Sequence, residues 1–226
     1  MLKFTTFKIR ITLIVTMFYD IVFPKSNEKD FIEIAEKLDI DGLCFAYLFT
    51  DKTTTAKIKD KLKQLQKTTK IKLKAVFSAS GNKIYKVHDT GEIAISEASE
   101  NIRDLIAKYK PDVVYNLELG SKKDFAKSRN SGLDKATCQF ASKDNVIIAF
   151  SFSTILNSKN LPHLLGRIKQ NIKLTKKYKV KTAIASFAST PYEMRSPHDL
   201  KSFLLSIGMY TANAKNSIEA ISGLFK

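Results

Sequence analysis

The sequence predicts a single-domain α/β fold in which strands and helices alternate to build a compact, irregular (β/α) barrel. Three observations carry this prediction. Short runs rich in β-branched and aromatic residues recur along the chain, and segments with helical periodicity separate them. Several of the runs lack polar alternation, as strands covered on both faces do. No Pro-, Gly- or Ser-rich linker divides the 226 residues, which are enough for one large core. An open doubly wound sheet is the alternative arrangement of the same units.

Each element follows from its residues. The β-rich runs are 18–23, 42–49, 71–78, 112–117, 146–152 and 182–188, with a weaker one at 83–87. Between them, Phe31, Ile34, Ala35 and Leu38 share one helical face, as do Ile58, Leu62 and Leu65. Ala98, Ile102, Leu105, Ile106 and Tyr109 form a third stripe, and Leu133, Ala136, Thr137 and Phe140 a fourth. Leu161, Leu164, Leu165, Ile168 and Ile172 form a fifth. Ser26 or Asn27 is placed to cap the first helix, and Ser96 with Ser99 stands near the start of the third. With right-handed crossovers, seven or eight such units suit a barrel.

Residues 1–16 read as an extension ahead of a domain spanning 17–226. Lys3, Lys8 and Arg10 precede an apolar stretch too short, and broken at Thr12, to serve as a secretory signal. The extension is either an extra strand or an over-called start with Met17 as the true initiator, and the second reading is favoured. No apolar run approaches the length of a membrane span.

Charge gives the first functional clue. The chain carries 38 Lys and Arg against 22 Asp and Glu, a formal charge of +16. Such a surplus repels itself and is best tolerated where a polyanion neutralises it, which points to nucleic acid before an anionic membrane. The alternative is a plain solubilising surface. Hydrophobic residues at 44% exclude a disordered basic tail. Two cysteines, Cys44 and Cys138, exclude a disulfide framework and are too few for a structural zinc site; their apolar neighbours suit buried, inert thiols.

Catalytic constellations are sparse. The three histidines, His88, His163 and His198, fall in no metal-binding spacing. Asp20 and Glu118 are the acids at strand ends; such a pair could hold one Mg²⁺, though strand-end acids more often hydrogen-bond neighbouring loops. No glycine-rich dinucleotide fingerprint, phosphate-binding lysine loop or nucleophile elbow occurs.

The cations are organised instead. Residues 167–181 hold seven of them and no acid, and on a helix over 161–178 Lys169, Lys173, Lys176 and Lys177 face outward. Residues 57–74 hold eight Lys and one Asp, a second basic face or simple solubilising surface. In Arg129-Asn130-Ser131-Gly132-Leu133-Asp134-Lys135, Ser131 or Asn130 can cap a helix and Gly132 can let backbone N–H groups approach an anion, with Arg129 and Lys135 beside them. In Tyr192-Glu193-Met194-Arg195-Ser196-Pro197-His198-Asp199, Ser196-Pro197 starts a helix and Arg195 stands beyond a strand's C-terminal end. The structural reading of Arg195 is an ion pair with Glu193 or Asp199.

The run SRNSGLDKATCQFASKDNVIIAFSFSTIL at 128–156, SFASTPYEMRSPHDLKSFLLSIGM at 186–209 and the opening MFYDIVFPKS with DGLCFAY resemble archaeal ribonuclease P protein component 3, the p30-type subunit family. The resemblance runs from Met17 to the C-terminus. It implies a TIM-barrel-like fold of seven to ten strands, related in shape to the PHP phosphoesterases. Where those enzymes carry an HxH metal pair, this chain has Asp20-Ile21-Val22. The resemblance therefore implies a noncatalytic, cytoplasmic protein subunit of ribonuclease P that binds no cofactor itself. Its partners would be the ribonuclease P RNA, protein component 2, the other protein subunits and, indirectly, precursor tRNA, with no membrane. Mg²⁺ would be required by the RNA, which carries catalysis in 5′ leader removal. Arg129, Lys135, Lys173, Lys176, Lys177 and Arg195 would contact RNA phosphates. Lys135 stands where a His is expected, keeping charge but not ring stacking. A terminal apolar set, Ala214, Ile218, Ile221, Leu224 and Phe225, could meet component 2, although core packing is the favoured reading. A metal-dependent phosphoesterase and a non-enzymatic polyanion binder are the other functional classes.

Overall fold

The computed structural model describes residues 17–98, 101–120, 123–124 and 128–225, so the extension at 1–16 and Ser99 lie outside it. Seven parallel strands follow one another in chain order: β1 (Tyr19–Val22), β2 (Gly42–Leu48), β3 (Lys72–Ser78), β4 (Ala94–Glu97), β5 (Val113–Tyr115), β6 (Ile147–Ser151) and β7 (Thr182–Ala185). The last returns to the first. Val22 bridges Ala188, and the Phe23 N–H donates to the Ala188 carbonyl at 2.8 Å. The barrel predicted from alternation is thus nearly closed.

Interior and exterior residues alternate along the strands. Ile21, Cys44, Val76, Ile95, Val113, Ala149, Ala183 and Ala185 fill the bore. A seven-stranded bore is narrow, and the alanines leave room for the larger aliphatic side chains. Phe45, Phe77, Phe150 and Ile184 point outward and are covered by helices.

The helices are α1 (Glu28–Lys37), α2 (Lys52–Gln66), α3 (Lys83–His88), α4 (Ile102–Asp104), α5 (Lys135–Lys143), α6 (Phe152–Leu156), α7 (Leu161–Lys177), α8 (Pro197–Ser206) and α9 (Thr211–Glu219). In α1, Phe31, Ile32 and Ala35 face the barrel, and Glu28 and Asp30 suit the positive end of the helix. Asn27 occupies the N-cap, but its side chain accepts from the Lys25 N–H, so the predicted side-chain cap does not form. At α8 the predicted cap does form: the Asp199 N–H donates to Ser196 Oγ at 3.1 Å, with Pro197 next.

Two assignments are corrected. The weak strand at 83–87 is α3, because Ile84 and Val87 are one turn apart and both buried, and a short β-branched run fits either period. The strand at that position in the barrel is β4, whose four residues are too short to stand out. Ser96 belongs to β4, and α4 is capped by Asn101 instead. Beyond α4 the chain winds as a π-helix over Leu105–Tyr109.

The C-terminal segment closes the barrel floor. Ala214 and Ile218 of α9 and the following Ile221 are buried, and the Phe225 ring lies 5.3 Å from that of Tyr19. The terminal apolar set is therefore core packing. Both cysteines are free and buried. No helix among the described residues is long and apolar enough to cross a membrane.

Candidate nucleic-acid interface

The C-terminal ends of the strands carry the candidate site. After β5 the chain turns at Asn116, with φ 60°, into a 3₁₀ turn, Leu117–Leu119, and reaches α5 by way of Gly132. Gly132 adopts φ +84°, and a Cβ there would stand 2.5 Å from the Leu117 carbonyl oxygen. The missing side chain lets the backbone pack closely against Leu117. The cap of α5 is Asp134, which accepts from the Thr137 N–H at 2.7 Å, so neither Asn130 nor Ser131 caps this helix. Ser131 is buried and accepts from Gln170 Nε2 at 3.0 Å.

Asp124 organises the cations here. Its carboxylate accepts from Arg129 Nη1 at 2.9 Å, Arg167 Nε at 2.9 Å and the Asn130 N–H at 2.9 Å, and His163 Nε2 lies 3.0 Å away. Partial burial opposes ionisation, yet the Asn130 N–H, Arg129 and Arg167 together hold the carboxyl well below the usual range. Gln170 of α7 clamps the loop, accepting from the Arg129 N–H and donating to the Arg129 carbonyl. The Arg129 side chain remains about half exposed, at 47%.

Arg167 was missed as a structural residue. It lies within the basic run, but only 2% of it is exposed, and Nη1 donates to the Glu118 carbonyl at 2.6 Å. Below it Asn171 Nδ2 donates to Glu118 Oε1 at 2.8 Å and to the Ser131 carbonyl at 2.9 Å. The signal was available in the spacing: Leu164, Arg167, Ile168, Asn171, Ile172 and Thr175 form one buried face of α7. Burial pushes the Glu118 carboxyl up to about 7. The other strand-end acid, Asp20, sits elsewhere, at the β1–β7 seam, where Oδ1 accepts from the Ser186 N–H at 2.6 Å. Burial pushes it up to about 7 as well. Among the described residues no group of three or more His, Cys, Asp and Glu is placed to hold a metal ion.

Arg195 follows β7. Its Nη1 donates to the carbonyls of Tyr192 (3.0 Å) and Met194 (2.7 Å), and its guanidinium sits 5.6 Å from the Phe152 ring centroid. It pairs with neither Glu193 nor Asp199. Glu193 instead accepts from the Ser189 and Thr190 N–H groups and from Asn157.

The predicted cations do not form one surface. Lys135 is exposed in the first turn of α5, on the same end of the barrel as Arg129 and Arg195. Lys173, Lys176 and Lys177 are exposed on the last turns of α7. At 1.5 Å per residue, Lys177 stands about 15 Å farther along the axis than Arg167. Lys176 lies over the Tyr210 ring, at the start of α9, rather than beside Arg195. In the other Lys-rich segment, Lys59, Lys61 and Lys63 pair with Glu92, Glu28 and Asp60, as a solvated surface does.

The mouth of the bore, where barrels of this kind place active sites, is filled. Tyr115 and Phe187 stack at 4.6 Å, and the Phe23 ring lies 6.0 and 6.3 Å from theirs. Tyr115 and Phe187 are buried, and burial raises the Tyr115 phenol above its ordinary range.

Comparison with known proteins places this architecture. Ribonuclease P protein component 3 of Methanocaldococcus jannaschii is 26% identical over 188 residues, covering 82% of this chain and 68% of that protein. The protein of the same name from Thermococcus kodakarensis is 33% identical over 92 residues, covering 40% of this chain and 42% of that protein. A chain in the cryo-EM structure of archaeal ribonuclease P with mature tRNA shares the fold, with a TM-score of 0.75 at 22% identity over 91% of this chain and 89% of that one. The family model for RNase P subunit p30 matches residues 17–224. By that match, which spans nearly its whole length, the chain belongs to the RNase P subunit p30 family.

Proposed function

We propose that this ribonuclease P subunit has no active site of its own and supports the catalytic RNA through phosphate contacts. The observation that carries the reading is the filled barrel mouth: Phe23, Tyr115 and Phe187 occupy the space where a substrate would enter. Cations held in place stand outside it. Arg129 is fixed by Asp124 and Gln170, and Arg195 by two carbonyls and Phe152. A guanidinium fixed on one side keeps its remaining N–H groups directed at a phosphate with little entropy left to lose. Such contacts position an RNA fold without reading its sequence. Lys135 adds a further charge at the same end. Protein component 2 is the partner with which the chain would act, on precursor tRNA bound by the complex, and Mg²⁺ would serve the RNA.

Reconstitution tests this. The purified protein, with and without component 2, is added to the cognate RNA and a 5′-extended precursor tRNA across a range of Mg²⁺ concentrations. The expected result is cleavage that needs the RNA and proceeds at lower Mg²⁺ with the protein pair. Arg129→Ala and Arg195→Ala should each weaken that support while the fold persists. Cleavage by the protein alone would overturn the noncatalytic reading, and full support by both variants would overturn the site.

A further inference from the structure

At the end of the barrel opposite Arg129 and Arg195, the starts of β5, β6 and β7 open onto a cleft of about 680 Å³. The last turn of α7 forms one wall, and α9 with the C-terminal turn forms the other. Lys176, Lys179 and Lys181 line it. Three carboxylates do too, and each is already engaged. Asp112 meets His88 Nε2 at 3.1 Å and the Ala94 N–H at 2.8 Å, Asp144 pairs with Lys110 at 3.0 Å, and Glu219 lies 3.9 Å from Lys215. Lys176, Lys179 and Lys181 have no carboxylate partner among the described residues, and with Lys110 they outnumber the three carboxylates of the lining by one.

Two further features separate this cleft from a plain basic surface. Asn145, Asn213 and Asn216 also line it, with Asn145 and Asn216 exposed. An amide offers both a donor and an acceptor, which the edge of an unpaired base requires and an acidic peptide does not. Tyr210 stands beside the cleft rather than in its lining: the residue is 62% exposed, and Nζ of the lining Lys176 lies 3.2 Å from its ring centroid. An exposed aromatic face beside cations is the common platform for stacking single-stranded bases.

We propose that this cleft binds a single-stranded RNA segment, with phosphates on Lys176, Lys179 and Lys181, base edges on the asparagine amides and a base against Tyr210. The proposal rests on the reading of the chain as an RNA-supporting subunit and extends it. The protein would hold two separate RNA segments, one at each end of the barrel, with α7 spanning about 25 Å between them.

Binding of a short fluorescent oligouridine to the full-length protein tests it, comparing wild type with the Lys179→Gln, Lys181→Gln double variant and with Lys63→Gln. Both lysines are exposed, so the double variant should fold, and its thermal melt checks this. The expected result is a loss of about tenfold or more in affinity for the double variant, with a salt dependence shallower by roughly 0.7 per lysine. Lys63→Gln, on the solvated face of α2 where Lys63 pairs with Asp60, should bind oligouridine as wild type does. Unchanged affinity in the double variant would overturn the proposal. So would equal binding of a duplex or of polyglutamate, since either would mark a general anion patch. If the double variant loses oligouridine while wild-type protein fails in reconstitution, the cleft stands and the ribonuclease P role falls. If only Arg129→Ala weakens reconstitution and oligouridine binding never changes, the role stands and the cleft falls.

Discussion

Arg129 packs against Gly166: a Cβ at Gly166 would lie 3.0 Å from the Arg129 guanidinium carbon and 3.0 Å from its Nε. On its other side the same guanidinium is tied to Asp124. A glycine within a 17-residue helix costs about 0.5–1 kcal/mol relative to alanine, and here that cost leaves room for the arginine.

Gly166→Ala should therefore separate stability from function. The helix should gain a few tenths to about 1 kcal/mol, while the new methyl group moves Arg129 by some tenths of an ångström. A thermal melt at or above that of wild type, with weaker support of the RNA in reconstitution, is the expected pair of results. A variant that supports the RNA as well as wild type would show that the placement of Arg129 does not matter.

Arg167→Ala should behave differently. It removes a buried guanidinium from Asp124 and from the Glu118 carbonyl, leaving a polar cavity beneath the loop. Losing a buried, hydrogen-bonded charge costs about 3 kcal/mol or more. Urea denaturation should show that loss, and proteolysis should cut first within 118–134.

Gly132→Ala tests the loop from its backbone. Alanine is strained at φ +84°, and its Cβ would collide with the Leu117 carbonyl. Destabilisation of about 2 kcal/mol or more is expected, read as a lower urea midpoint. An unchanged midpoint would mean that the loop can rearrange around the methyl group.

Asp20 sets a pH dependence. Burial raises its carboxyl from 3.8 to about 7, so the folded protein keeps a proton that the unfolded chain releases within that interval. The stabilisation is complete below about pH 4 and is lost as pH rises toward about 7. Glu118, raised from 4.5 to about 7, acts in the same direction. Asp20→Asn keeps an acceptor for the Ser186 N–H and removes the titration. Its urea midpoint should fall less steeply between about pH 5 and 7 than that of wild type. Equal slopes would remove Asp20 from the balance.

Legibility differed from residue to residue. The cap at Ser196-Pro197 was readable because capping depends on neighbours within one turn. The outward lysines of α7 were readable because a 17-residue helix has a clear period. Arg167 shares that period, yet its charge gives no local sign of burial. Partners 43 and 49 residues away, Asp124 and the Glu118 carbonyl, allow it to be buried. The exchange of α3 for β4 had a simpler origin, since elements of four to six residues carry too few turns or alternations to declare a period.

By itself, then, the sequence determined the alternating α/β architecture, the positions of most strands along the chain, the basic face of α7 and the family, all of which depend on local periodicity or contiguous motifs. The tertiary structure alone decided which cations are held, which are paired and which end of the barrel each one occupies. It also decided that three aromatic residues, Phe23, Tyr115 and Phe187, from different strand ends would meet in the mouth of the bore. Closing the barrel brings together side chains far apart in sequence, and burial and charge balance are properties of those meetings.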